Sequence, residues 1–247
     1  MKKHALIALL FIALPVWAGL SDTIVQVKPS VVVVASFNKL AAPALSIRGT
    51  GFIVGDGSLV CTNSHVIPEA LAENEHLLVF VGQGNDRAQR EAKLVRRDAA
   101  HDLALLKISG APLPAFKLSS PSMMREGHEV AISGFPIGNI IGTSMVTHRG
   151  IVSAITPIAV QGGHSSQLNE AAIRRLRSGA FDVYQLDITA YPGSSGSPMY
   201  DTETADVVGI VNSGFVKGSK EAALSNPTGI TFAIPVRYLH ELLGTKN

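Results

Sequence analysis

A single cysteine, Cys61, stands in the whole chain, so no disulfide can close within it and stability must come from packing. Cys61 lies two residues after Leu59 in a strand-like run, which puts both side chains on one face and casts the thiol as a small buried hydrophobe. Tryptophan is equally scarce: its one copy, Trp17, falls in the N-terminal leader described below. No His-Glu-x-x-His and no close-spaced set of ligands occurs, so the residues suggest neither a catalytic metal nor a cofactor. Charge of one sign is also lacking, with 21 Lys and Arg against 19 Asp and Glu.

The chain opens with Lys2 and Lys3, an apolar run from Ala5 to Leu14, and Val16-Trp17-Ala18. A basic start, about ten apolar residues and a small residue at the end describe a secretory signal peptide, residues 1–18. The run is about half of the roughly 20 residues a spanning helix needs, so no stable membrane anchor is expected. Cleavage near Ala18 would deliver residues 19–247 to the periplasm or the medium, without tryptophan emission. Taking Lys2 and Lys3 from the 21 basic residues leaves 19 against 19 acidic ones. A near-neutral surface of this kind gives nucleic acid no basic footprint.

Short runs of Val, Ile and Leu recur between Gly, Pro, Asn and Asp turns, without alternating helices. The pattern predicts strands near 31–37, 51–54, 59–62, 77–81, 92–97 and 104–108, and again near 130–134, 145–155, 183–186, 197–200, 207–212 and 230–234. Such spacing argues for antiparallel barrels or sandwiches rather than βαβ units. Pro112, Pro114 and Pro121 mark the join at about Ser109–Gly127. After Pro235, a face of Val236, Leu239 and Leu243 followed by Gly244 predicts a short closing helix over 236–243.

Three islands carry the chemistry: Cys-Thr-Asn-Ser-His-Val at 61–66, His-Asp-Leu-Ala-Leu-Leu-Lys-Ile at 101–108, and Pro-Gly-Ser-Ser-Gly-Ser-Pro at 192–198. A serine hydroxyl attacks well only when a histidine takes its proton and a buried carboxylate holds the imidazole in the right tautomer. His65, Asp102 and Ser195 are the candidates for base, orienting acid and nucleophile. Each has a neighbour that could compete: Ser194 beside the nucleophile, the more polar Asp98 in place of Asp102, and His101 in place of His65. Asp98 is expected to be solvated, and His101, next to Asp102 in a strand, to point to the other face. The order histidine, aspartate, serine and the absence of Gly-x-Ser-x-Gly exclude the α/β-hydrolase elbow.

Taken in order, these islands resemble the trypsin-like serine proteases, and among them the bacterial periplasmic HtrA/Deg type. Gly49–Val54 with Thr62–Val66, Asp102–Ile108, Gly150–Ala154, Pro192–Gly196 and Gly229–Pro235 carry the similarity, which runs from about Val31 to Leu243. The resemblance implies an all-β fold of two six-stranded antiparallel barrels with a C-terminal helix, at about 22–110, 125–235 and 236–243. His65 and Asp102 then belong to the first barrel and Ser195 to the second, with the cleft between them as the site. It implies the N–H groups of Gly193 and Ser195 as the oxyanion hole. It also implies Asn212-Ser213-Gly214 as the edge that pairs with an extended polypeptide, and Thr189 at the base of the primary specificity pocket.

The chain departs from the resemblance at several points. With Thr189 and no carboxylate there, a preference for Arg or Lys is not expected; with Val211 where glutamate-specific relatives place a histidine, neither is one for Glu. A small or medium apolar side chain is expected. Ser194 replaces the acidic residue that digestive relatives pair with a new N-terminus, and Ser197 replaces a frequent glycine. Relatives of the HtrA/Deg type usually continue into a peptide-binding PDZ domain, whereas this sequence stops at Asn247. Thr156–Asp182 is long for an irregular connection and reads either as a solvated helix or as a loop gating the site. The expectation is an exported serine endopeptidase needing no metal or cofactor. Two alternatives stand beside it: a non-catalytic peptide-binding homologue, or a protease subunit that works as a homo-oligomer or with a regulatory partner.

Overall fold

A computed structural model describes residues 19–82, 87–136, 144–157, 181–212 and 229–244. Within it a short helix α1, Leu20–Val27, leads into strands β1 (Val31–Asn38), β2 (Leu45–Val54), β3 (Leu59–Asn63), β4 (Glu75–Val81), β5 (Ala88–Asp98) and β6 (Leu103–Ile108). After an irregular crossing come β7 (Glu129–Gly134), β8 (Val146–Pro157), β9 (Asp182–Leu186), β10 (Pro198–Asp201), β11 (Val207–Asn212) and β12 (Thr231–Pro235), then helix α2 (Val236–Leu243). The strands close into two barrels, ordered β1-β2-β3-β6-β5-β4 and β10-β11-β12-β9-β8-β7, with every neighbouring pair antiparallel. The expected all-β, two-barrel fold with its closing helix is the observed one.

The valine run that opens β1 explains why the halves are joined. Side chains alternate across a strand, so Val32 and Val34 enter the first barrel with Ile53, Val60, Val79 and Leu106. Val31 and Val33 face the other way, into a core that also holds Phe52 and Leu105 from the first barrel and Tyr200, Ile210 and Ile234 from the second. A strand buried on both faces reads as an unbroken apolar run rather than an alternation. The second barrel fills its interior with Val130, Ile132, Val152, Leu186, Met199 and Val211. Each such fully buried side chain contributes about 1.5–3 kcal/mol. Cys61 is wholly buried in the shared core, and the desolvation pushes its thiol far up the pKa scale.

The proline-rich crossing is irregular and is tied to both barrels by its backbone: the N–H groups of Leu113, Phe116 and Ser119 donate to the carbonyls of Gly57, Ile53 and Val207, beside an isolated bridge between Leu118 and Val207. Helix α2 starts after Pro235, buries Val236 and Leu239, and ends where Gly244 turns left-handed at φ 75°. Helix α1 was not expected. Its face of Thr23 and Val27 is buried, and the Thr23 hydroxyl donates to the carbonyl of Thr202, between β10 and β11, at 2.9 Å. The leader lies outside the described residues.

Candidate active site

His65 sits in a single 3-10 turn, Ser64–Val66, where β3 leaves the first barrel. Asp102 lies at the close of the β5–β6 turn with φ 55°, a left-handed backbone that aspartate tolerates better than most residues and that is common at functional sites. Its carboxylate faces the histidine turn: Oδ1 accepts the N–H of His65 at 2.9 Å, and Oδ2 lies 2.7 Å from the ring Nδ1. The other ring nitrogen, Nε2, lies 3.0 Å from Oγ of Ser195, which comes from the second barrel. The carboxylate side chain is 5% exposed and the imidazole 37%, so a dry acid stands behind a ring that solvent can reach.

Around Asp102 the backbone is tied as tightly as the side chain. Its carbonyl accepts the N–H of Ser64 at 2.9 Å and the Asn63 amide at 3.2 Å. Oδ2 takes a further bond, 2.6 Å, from the side-chain amide of Asn212 on β11. The carboxylate is therefore bonded from both barrels. Sequence reasoning placed Asn212 on a peptide-binding edge and missed this contact, since no local pattern links positions 110 apart.

The loop before Ser195 is a turn whose residues choose its type. Ser194 N–H donates to the Tyr191 carbonyl at 2.9 Å, with Pro192 and Gly193 between them and Gly193 at φ 99°. Proline first and a positive-φ glycine second is the type II turn, and the Gly193 N–H takes no part in its closing bond. Gly196, at φ 83°, is needed for space as well as conformation, since a Cβ there would lie 2.2 Å from the Thr50 carbonyl. Thr50, on β2, bolts this loop to the first barrel: its N–H donates to the Ser195 carbonyl at 2.9 Å and its hydroxyl to the Gly193 carbonyl at 2.8 Å. It too was missed as a supporting residue, although it lies inside the Gly-Thr-Gly run.

The competing neighbours are accounted for. Ser194 is buried, its N–H used within the turn, and offers no carboxylate for a terminal amine. His101 is not in a strand, as expected, but in the β5–β6 turn; its ring stacks on Tyr238 of α2 at 3.9 Å between centroids, and its Nδ1 lies 2.6 Å from Asp98. Asp98 is only partly solvated, its side chain half-buried against His101. Burial pushes its carboxyl up, but hydrogen bonds from the His101 ring and from the backbone of His101 and Ala100 outweigh that and hold it below the ordinary range. Thr189 is half-buried, following Ile188, whose carbonyl Thr231 binds. Ser213, Gly214 and nearly all of the Thr156–Asp182 segment lie outside the described residues. Among the described residues no group of three or more His, Cys, Asp or Glu side chains could hold a metal ion.

Two closed barrels with this cluster between them define a protein class, and comparison with known families agrees: residues 49–210 match the trypsin-like peptidase domain, and the chain belongs to that family. Within it, the likeness is to the HtrA/Deg type. A probable periplasmic serine endoprotease, DegP-like, of Pseudomonas fluorescens is 32% identical over 188 residues, covering 76% of this chain. A counterpart in Halomonas elongata is 29% identical over 192 residues and covers the same share. The chain spans about a third of the length of either, 32%. Among solved structures, an HtrA-type protease with a tripeptide superposes with TM-score 0.65 at 25% identity, over 92% of this chain and 63% of that one. The serine endoprotease from Yersinia pestis does so with TM-score 0.64 at 25% identity, over 92% and 66%.

Proposed function

We propose that this protein is an exported serine endopeptidase that cuts unfolded or extended polypeptides through an acyl-enzyme. The observation that carries the reading is the continuous line from Ser195 Oγ through both nitrogens of His65 to Asp102, 3.0 and 2.7 Å, assembled from two barrels. His65 Nε2 would take the proton as Oγ bonds to the scissile carbonyl carbon, and Asp102 would steady the imidazolium. The N–H groups of Gly193 and Ser195 would receive the charge that develops on the carbonyl oxygen. Losing one such donor costs about 10²–10³ in rate. His65 then returns the proton to the leaving amine as the carbon–nitrogen bond breaks. Water repeats the sequence to free Ser195.

The type II turn supports the oxyanion assignment, because Pro192 and Gly193 favour one orientation of the peptide unit between them. Polypeptide as the substrate class draws support from the relative whose structure holds a tripeptide. The segment Asn212–Gly214 would add the bound strand to the second barrel, giving affinity with little sequence preference. Thr189 would favour a small or medium apolar side chain over a basic one. The leader and the periplasmic relatives support export with cleavage near Ala18.

The test is turnover on an unfolded protein substrate by residues 19–247. We expect cleavage, and a fall of about six orders of magnitude for Ser195→Ala if the three groups act as a unit. Cleavage that survives this substitution would remove Ser195 from the chemistry.

A further inference from the structure

We propose that Arg97 is the positioning residue of the base, an inference that rests on the peptidase reading of His65. The turn that carries His65 is only three residues long, Ser64–Val66, and closes on one internal bond, from the Ile67 N–H to the Ser64 carbonyl at 3.1 Å. Its N–H side is held by Asp102, which accepts from both Ser64 and His65. Beyond that single internal bond, its carbonyl side is held by Arg97. One guanidinium nitrogen lies 3.4 Å from the Ser64 carbonyl and 3.3 Å from its hydroxyl; the other donates to the carbonyls of Ile67 and Pro68 at 3.2 and 2.9 Å. The histidine is thus bracketed on both sides in sequence by carbonyls that one planar fork joins.

Two features separate this from an ordinary surface arginine. First, among the described residues no carboxylate pairs with Arg97, so its whole fork is directed at this one segment. Second, the backbone is bent to deliver it. The β5–β6 ladder shifts register between Leu94 and Arg96, so that Arg97, and not Arg96, stands opposite Ala104. Ala104 belongs to the interior of the first barrel, and Thr62, its partner on the other side, lies on the strand that leads to His65. An extra residue in one strand re-aims the side chains beyond it. Arg96 is sent the other way, to the Leu242 carbonyl of α2 at 2.6 Å. Adjacent arginines therefore serve different segments, which provides an internal control.

The guanidinium geometry is what the position uses. Lysine keeps the charge but has no planar fork, so it cannot reach Ser64 and Pro68 together. Displacing a reacting group by about 1 Å can cost 10²-fold without touching substrate affinity.

The experiment compares residues 19–247 as wild type, R97A, R97K and R96A. It reads kcat and KM on a peptide, the rate of covalent labelling by a fluorophosphonate, and the melting temperature. We expect R97A to lose about 10²-fold in kcat and in labelling rate, in parallel, with KM within about two-fold. R97K should recover about ten-fold of that, and guanidinium ion at sub-denaturing concentration should partly restore R97A. R96A should lower the melting temperature and leave kcat near wild type. Arg97 variants with wild-type kcat in an active background, or with a loss confined to KM, would overturn the inference and leave the peptidase reading intact. If R97A does not fold, R97K with undiminished kcat overturns it equally. A wild type that neither cleaves nor labels defeats the peptidase reading, and the role of Arg97 falls with it.

Discussion

The carboxylate of Asp102 is the residue on which most contacts converge. It is buried, bonded by His65 twice and by Asn212 once, and its left-handed backbone offers its carbonyl to Ser64 and Asn63. A hydrogen bond to a charged group is worth about 1.5–3 kcal/mol. Asn212→Ala should therefore lower kcat by ten-fold or more while leaving KM nearly unchanged, as measured on a short peptide. A loss seen only in KM would confine Asn212 to the peptide edge and remove it from the support of Asp102. The meeting of His65, Asp102 and Ser195 could be anticipated from the sequence because each stands in a distinctive local context. Asn212, Thr50 and Arg97 could not be, because each acts across two strands or two barrels on partners far away in sequence.

At the level of elements, the turn between β5 and β6 joins the site to the rest of the fold. Asp98 accepts N–H bonds from Ala100 and His101 and lies against the His101 ring, which stacks on Tyr238 of α2. A carboxylate held below its ordinary range stabilises the fold above the unfolded-state value and loses that contribution as pH falls through the folded-state one. Its stabilisation should be complete above about pH 5 and drain away below about pH 4. Melting curves of wild type and Asp98→Asn should thus differ near neutrality and draw together as pH falls below about 4; a gap constant with pH would contradict this account. The strands themselves were readable, since β-branched runs between turn residues leave few alternatives. The β5–β6 turn was misread, because treating 101–102 as strand ignored Asp98 as a capping side chain. Helix α1 was missed although Leu20, Thr23 and Val27 recur at helical spacing, a signal too short to stand out beside the leader.

For the molecule as a whole, the two barrels share one core, and α2 straps them together. Tyr238 is 8% exposed and touches His101 from the first barrel and Phe181 from the second. We expect a single unfolding transition by calorimetry, and a cost of about 3 kcal/mol for Tyr238→Ala. At about 2–4 °C per kcal/mol for a protein of this size, the melting temperature should fall by roughly 6–12 °C. Two separated transitions in the wild type would mean that the barrels fold independently. Pairing of the halves was legible only through resemblance, since a doubly buried valine run shows that β1 has two apolar neighbours without naming them. The most direct test of the central claim asks whether the site assembles an activated hydroxyl. Residues 19–247 treated with a fluorophosphonate at neutral pH should gain the mass of one adduct, mapped to Ser195, and His65→Ala should lose that rapid labelling. A wild type that stays unmodified, or an adduct on Ser194 or elsewhere, would contradict it.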